Sequence, residues 1–124
     1  MKETSISRVT AEHYSWGQDC DAWHLVKDAA LSVIEEEMPP GSSEVLHSHR
    51  SAQQFFFVLL GQVIMQVEHD EVRLRAGEGL HILSRVRHRI SNRSAEVARF
   101  LVISQPPSHG DRVYGSVGLL KVPL

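Results

Sequence analysis

Turn-forming residues interrupt the chain at regular intervals, and this spacing is the feature that most limits what the chain can fold into. Pro39, Pro40 and Gly41 end one apolar segment, Gly61 ends another, and residues 76–79 separate two more. Such signals recur about every ten residues, the spacing of a β-sandwich or barrel. No apolar stripe with the 3.6-residue period of a helix has a useful length. The sequence therefore predicts an all-β domain.

Alternation between apolar and polar residues predicts where the strands lie. Residues 62–68 alternate in this way, which is typical of a strand with one buried face. Residues 69–71 are predicted to connect this strand to the next one as a hairpin. The predicted strands are residues 31–38, 54–60, 63–67, 72–75, 80–83 and 100–104.

Size and charge exclude several classes of protein. The chain has 124 residues, enough for one domain, and 13 Lys and Arg residues against 15 Asp and Glu residues. Without a large basic field we expect no nucleic-acid partner and no anionic membrane partner. The longest apolar run, residues 55–60, is far too short to span a membrane, and residues 1–10 carry no export signal. The single cysteine, Cys20, fits a reducing compartment, so a cytoplasmic location is expected.

Two of the eight histidines, His47 and His49, stand two residues apart in an extended segment. Side chains at this spacing in a strand point to the same side, with about 6.6 Å between their Cα atoms. Two imidazoles placed in this way can converge on one metal ion. The pair by itself also fits two surface histidines, so the surrounding residues must decide.

Those surroundings resemble the cupin family. Gly41, His47, His49, Gln54 and Gly61 follow the first cupin motif, which is glycine, five residues, HxH, three or four residues, glutamate, six residues and glycine. The departure from the motif is glutamine at position 54.

A second cupin motif follows in register. Gly77, His88 and Asn92 occupy its glycine, histidine and asparagine positions, whereas Leu83 and Arg85 stand where the family has proline and glycine. The loss of that turn alters the loop before His88. The resemblance covers roughly residues 31–104, most of the chain.

The resemblance implies a cupin jelly roll, a double-stranded β-helix closed into a barrel over residues 31–104. Residues 1–30 are expected to pack on this barrel, with Trp16 and Trp23 as anchors. Residues 105–124 are expected to pack on the barrel or on a neighbouring subunit. Val117, Leu119, Leu120 and Val122 make this tail too apolar for a solvated linker.

By the same resemblance, His47, His49, His88 and Gln54 hold a divalent transition metal inside the barrel. Such a ligand set suits Zn, Ni, Mn, Fe, Co or Cu, and affinity order does not choose among them. Gln54 either binds the ion through its amide oxygen or stands aside. In the second case three histidines leave open positions, as in catalytic metal sites.

The side chains beside the metal are expected to be apolar. Residues 50–53 are polar or small and are predicted to reset the strand phase, so that Gln54 points inward. The predicted cavity wall consists of Phe56, Val58, Met65 and Ile90.

No catalytic residue is identified, because the inward faces that can be assigned are almost wholly apolar. The acidic run of residues 35–37 is interpreted as a solvated strand edge. His109, Asp111 and Arg112 lie on the tail, and one hypothesis places them over the mouth of the cavity.

The leading interpretation is a small metal-binding cupin that binds or converts a small organic substrate, with isomerase-like or dioxygenase-like chemistry. The alternative is a non-catalytic small-molecule-binding or sensor cupin, with or without metal, and a further reading is a cupin that lost its metal through Gln54.

Phe55 and Phe57 point away from the cavity and need an apolar cover. A homodimer is the simplest source of that cover.

Overall fold

The computed structural model describes residues 4–114, and those residues fold into eleven strands without a helix. It follows that the described part has no helix long and apolar enough to cross a membrane. In chain order the strands are β1 (Glu12–Trp16), β2 (Cys20–Lys27), β3 (Ser32–Met38), β4 (His47–His49), β5 (Gln53–Leu60), β6 (Gln62–Val67), β7 (Asp70–Arg75), β8 (Gly79–Ile82), β9 (His88–Ser91), β10 (Ala98–Gln105) and β11 (Arg112–Tyr114).

The strands form two antiparallel sheets that face each other as a jelly roll. The larger sheet has the order β1-β2-β3-β10-β5-β8, and the smaller has the order β11-β4-β9-β6-β7. Met38, Phe56 and Phe100 of the larger sheet share one core with Val63 and Met65 of the smaller sheet. The all-β prediction is confirmed.

The prediction of a closed barrel is wrong. Within residues 4–114 no ladder of backbone hydrogen bonds joins the two sheets, whose edge strands are β1 and β8 in one and β11 and β7 in the other. The sheets are instead held together by the apolar side chains between them, whose removal from water supplies a non-directional attraction.

The six predicted strands correspond to β3, β5, β6, β7, β8 and β10. The predicted connection at residues 69–71 is wrong by about two residues, because Glu68 adopts a left-handed conformation (φ 54°) and turns the chain early. Asp70 and Glu71 therefore pair with β6 as part of β7.

The two ends of the described chain join the sheets by strand pairing. β1 and β2 form a hairpin whose second strand pairs with β3, and β11 pairs with β4. The apolar part of the tail, from Val117 to Val122, lies outside the described residues.

On β5 the two-residue alternation of burial sets the inner and outer faces. Gln54, Phe56 and Val58 are buried, whereas Phe55 is 37% exposed and stacks on Phe57 with 6.2 Å between ring centroids. Residues 4–114 provide no second layer over this outer face. The homodimer expected to cover it stays a prediction.

The acidic run of β3 is not a solvated edge, and that interpretation is wrong. β3 is an interior strand, paired with β2 on one side and β10 on the other. Glu35 is 9% exposed and forms ion pairs with Arg99 (Nη2 to Oε2, 2.7 Å) and Arg8 (Nε to Oε2, 3.3 Å). Glu36 faces the interior and lines a cavity there.

Gly61 is required by both conformation and space. Its φ is +76°, and a Cβ at this position would lie 2.6 Å from the carbonyl oxygen of Val97. Gly77 has a similar φ of +86° but has nothing within 4 Å of the equivalent point. A substitution at Gly77 would therefore cost backbone strain alone, whereas one at Gly61 would cost strain and a steric collision.

We predict that Gly77→Ala costs about 1–2 kcal/mol of folding free energy, the usual penalty of a left-handed non-glycine residue. Gly61→Ala should cost clearly more, because the β5–β6 turn must also move away from Val97. Denaturant unfolding of both variants measures the difference, and equal losses would contradict the predicted collision.

Candidate metal centre

Three buried histidines meet between the sheets. His47 and His49 project from the same side of β4, and strand pairing sets His47 opposite His88 of β9. The three side chains are 2%, 2% and 1% exposed, and one nitrogen of each lies within 4.8 Å of the others. The two motifs of the sequence thus converge on one point.

Backbone carbonyls orient two of the three imidazoles. The Nδ1 of His47 donates to the carbonyl of Val45 (2.7 Å), and that of His88 donates to the carbonyl of Val86 (2.9 Å). These bonds place the proton on Nδ1 and leave the Nε2 lone pair available to an ion. His49 has no hydrogen-bond partner for either ring nitrogen among the described residues.

The environment keeps all three imidazoles neutral. Burial, assisted by neighbouring His88 and Arg112, lowers the pKa of His47 to about 3 and that of His49 to about 4. Burial also lowers the pKa of His88. A neutral imidazole is the form that binds a metal, so no proton has to be displaced at neutral pH.

Gln54 completes the donor set. It is 5% exposed, and its Nε2 donates to the hydroxyl of Ser104 (3.0 Å), which turns Oε1 toward Nε2 of His88 at 3.1 Å. With the His88 proton on Nδ1, two lone pairs face each other across this distance. A cation shared by both atoms relieves that repulsion.

These donors fit a divalent transition metal. Three imidazole nitrogens and one amide oxygen suit the borderline ions of the first transition row. The unpaired nitrogens of His49 fit the same assignment, since buried polar atoms in folded proteins nearly always have a partner. The residues singled out in the sequence are therefore brought together.

A cavity of about 280 Å³ adjoins the histidines. His47, Gln54 and Phe56 line it, as expected for inward-facing residues. The other predicted wall residues lie instead in the packed core: Val58 (0% exposed), Met65 (0%) and Ile90 (1%). They do face inward, but other side chains fill the space in front of them.

Two carboxyl groups that sequence analysis missed also line this cavity, Glu36 and Glu44. Burial, followed by the charge of Glu44, raises the pKa of Glu36 to about 8, and burial raises the pKa of Glu44 to about 7. Glu44 accepts from the backbone N–H of Ile90 (3.2 Å) and lies 3.8 Å from Nη2 of Arg112. The expectation of an almost wholly apolar interior is wrong.

A signal for Glu36 was present in the sequence. Ile34, Glu36 and Met38 share one face of β3, and the two apolar neighbours are 4% and 0% exposed. Glu44 gave no comparable signal, because it lies in the irregular segment before β4, where no period applies.

The segment around β11 closes one side of the cavity. His109 and Arg112 line it, whereas Asp111 anchors the segment by accepting from the backbone N–H groups of Ser51 and Ala52 (both 2.9 Å). Of the three residues proposed to lie over the cavity mouth, two contact the cavity and the third holds them there.

Comparisons with known proteins agree with the geometry. The family described as cupin domain matches residues 34–104. The polyketide cyclase RemF from Streptomyces resistomycificus has a similar structure, with a TM-score of 0.79, 17% identity, and coverage of 93% of this chain and 88% of RemF. At that identity the likeness concerns the fold.

Two curated relatives are similar in sequence. The tetracenomycin polyketide synthase protein TcmJ of Streptomyces glaucescens is 33% identical over 70 residues, 56% of this chain and 47% of TcmJ. An oxalate-binding protein of Thermotoga maritima is 30% identical over 67 residues, 54% of this chain and 55% of that protein. The chain thus matches about half the length of each.

The raised pKa of Glu36 predicts a pH-dependent stability. Unfolding restores the ordinary value near 4.5, so the stability associated with this group is fully present below that pH and is lost as pH rises through about 8. Glu36→Gln removes the ionisation. In metal-free protein we expect the variant to melt about 5 °C or more above the parent at pH 9, with a smaller difference at pH 5.

The matched control is Glu37→Gln, on the same strand but with a partly exposed carboxyl group that pairs with Arg8. Its melting difference should not grow with pH. A constant difference for Glu36→Gln across this range would contradict a buried, protonated Glu36.

Proposed function

The chain belongs to the cupin family, and on that premise we propose that it is a metal-dependent cupin that binds and converts a small oxygen-bearing organic molecule. The observation that carries this proposal is the convergence of three buried, neutral imidazoles beside a cavity lined by polar side chains. A purely structural metal site needs no such cavity.

The ligands of the ion would be His47, His49 and His88, with the amide oxygen of Gln54 as the fourth. Zn, Ni, Mn, Fe, Co and Cu all suit this set. A bound divalent ion would supply a Lewis acid that polarises a carbonyl or enolate oxygen. Since all four protein ligands are neutral, they leave the charge of the ion undiminished.

Glu36 is the side chain best placed to move a proton. Its carboxyl group lines the cavity and has no hydrogen-bond or ion-pair partner among the described residues. With its pKa raised to about 8, it carries a proton at neutral pH, so it is available to give that proton to an oxygen or carbon of the substrate and then, as the carboxylate, to take one from another position of the substrate. Arg112 lines the same cavity and supplies a positive charge near an anionic substrate.

This chemistry favours enolisation, the proton transfer that underlies isomerisation and the cyclisation of polyketones. The similarity to TcmJ, a polyketide synthase protein, also favours enolisation chemistry. Isomerase-like chemistry is therefore preferred here over dioxygenase-like chemistry, because it uses the carboxyl group that the cavity contains.

A second candidate is a non-catalytic binding protein, favoured by the similarity to an oxalate-binding protein. The two functions differ in turnover. An enzyme should convert its ligand in a metal-dependent way, whereas a binder should show only saturable thermal stabilisation.

The homodimer, the cytoplasmic location and the lack of nucleic-acid or membrane partners remain predictions.

We predict that His49→Ala abolishes bound metal. Removing a direct ligand should weaken binding by more than the roughly 10- to 100-fold that follows loss of an outer hydrogen-bond partner. Plasma mass spectrometry of parent and variant, purified without a tag, measures the metal content. The control is His81→Ala, because His81 is exposed and contacts Gln53; equal metal in His49→Ala and parent would refute the site.

Gln54→Glu should raise zinc affinity by about tenfold or more, because a carboxylate adds negative charge and is a better ligand than an amide. Gln54→Ala should lower it. Competition against a chelating dye measures both. Unchanged affinity in the two variants would mean that Gln54 stands aside from the ion.

A further inference from the structure

Arg112 brings a guanidinium group to the cavity beside the three histidines. Among the described residues, no lysine and no other arginine lines this cavity. The Nη2 atom of Arg112 lies 3.8 Å from Oε2 of Glu44, which is too long for a hydrogen bond. No acceptor within residues 4–114 takes a hydrogen bond from this guanidinium. Arg99, in contrast, donates to Glu35 at 2.7 Å. The donors of Arg112 are therefore available to a ligand.

Strand register places Arg112 next to the metal site. In the pairing of β11 with β4, Arg112 lies directly opposite His49, and Tyr114 lies opposite His47. Residues opposite each other in an antiparallel pair have Cα atoms about 4.5–5.5 Å apart and side chains on the same face of the sheet. Arg112 therefore projects from the same face as the two histidines, toward the cavity that it lines together with His47.

Asp111 fixes the start of β11. Its carboxylate accepts from the backbone N–H groups of Ser51 and Ala52 (both 2.9 Å), and its carbonyl accepts from the backbone N–H of Arg50 (3.1 Å). Three hydrogen bonds thus join this residue to the chain that follows the HxH pair. Because the backbone of Arg112 is already positioned, less freedom is lost when its side chain binds a ligand.

The charge of the metal-loaded site favours an anion. The four proposed metal ligands are neutral, so they do not reduce the charge of a divalent ion. Glu36 is protonated at neutral pH, because burial raises its pKa to about 8, and it adds no negative charge there. Arg112 adds a positive charge to the same cavity. A small anion beside the histidines would therefore interact with two positive centres.

We propose that Arg112 is a specificity-determining residue that selects organic acids. Its guanidinium donates to a carboxylate group of the substrate, while another oxygen of the same molecule faces the three histidines. This inference rests on the proposed function, because the second anchor is the metal site. The substrate class is then a small carboxylic acid that also carries a carbonyl or hydroxyl oxygen.

A carboxylate fits this position better than a phosphate. The planar guanidinium presents paired N–H donors that match the two oxygens of a carboxylate, and one cation balances one negative charge. A phosphate dianion would bring a second negative charge toward Glu44, without a second cationic side chain among the described residues that line the cavity. The cavity volume of about 280 Å³ limits the ligand to a small molecule.

The test compares two probes that share a metal-binding hydroxamate and the same short spacer. Succinate monohydroxamate ends in a carboxylate, whereas succinamide monohydroxamate ends in a neutral amide of nearly the same shape. Isothermal titration of zinc-loaded protein should show the carboxylate probe binding about tenfold more tightly, the effect of a hydrogen bond to a charged group. Arg112→Gln should remove this preference and leave the affinity for the amide probe unchanged.

Two further variants separate a direct contact from general attraction. Arg112→Lys keeps the charge but loses the planar pair of donors, so it should retain only part of the preference. Arg50→Gln is the matched control, because Arg50 is exposed, directly follows His49 and lies outside the cavity. It removes the same charge and should retain the full preference of the parent. Zinc content should equal that of the parent in all three variants, which a merely structural role for Arg112 would not give together with a lost preference.

Each other result has a distinct meaning. If the parent binds both probes equally, or if Arg112→Gln keeps the preference, the inference is wrong and the metal-dependent function stands. If a probe with a phosphonate in place of the carboxylate binds more tightly, the assignment to carboxylic acids is wrong. If the zinc-loaded parent binds neither hydroxamate, the proposed function fails and this inference fails with it.

Discussion

The pairing of His47 with His88 across two short strands is the contact on which the site depends. β4 has three residues and lies between β11 and β9, so its position is set from both sides. The loops beside it are joined by two backbone hydrogen bonds, from Gly41 N to the carbonyl of Asn92 (2.8 Å) and from Asn92 N to the carbonyl of Ser42 (2.9 Å). The Asn92 side chain also donates to the carbonyl of Met38 (3.0 Å). These contacts bring the two motifs together.

Burial has opposite effects on the two kinds of titratable group in this interior. It removes protons from the histidines, whose charged form is the acid, and it retains a proton on Glu36, whose charged form is the base. The same low-dielectric environment therefore leaves a neutral imidazole and a protonated carboxyl group beside one cavity. A protein tolerates such unfavourable burial where function requires it.

The two departures from the cupin motifs are accommodated by neighbouring residues. Arg85 stands where the family has glycine and adopts a positive φ of 70°, and its backbone N–H donates to the carbonyl of His49 (2.7 Å). His88 therefore reaches the other histidines despite the altered turn. Gln54 is oriented by Ser104, which fixes the amide nitrogen and turns the oxygen inward. An amide has only one oxygen to offer, so this orientation matters more than it would for glutamate.

The sequence by itself determined six of the eleven described strands, the inward direction of Gln54 and the grouping of His47, His49 and His88, because a two-residue period and two family motifs report on local geometry. It did not determine which side chains lie across the cavity from these residues. Asp111 and Ser51 are 60 residues apart, yet their contact brings Arg112 and His109 to the cavity. Glu44 and Trp16 likewise line the cavity only because separate strands meet there. A local period reveals which face of a strand is buried, whereas the groups that lie across from that face depend on non-local pairing, which only the tertiary structure decides.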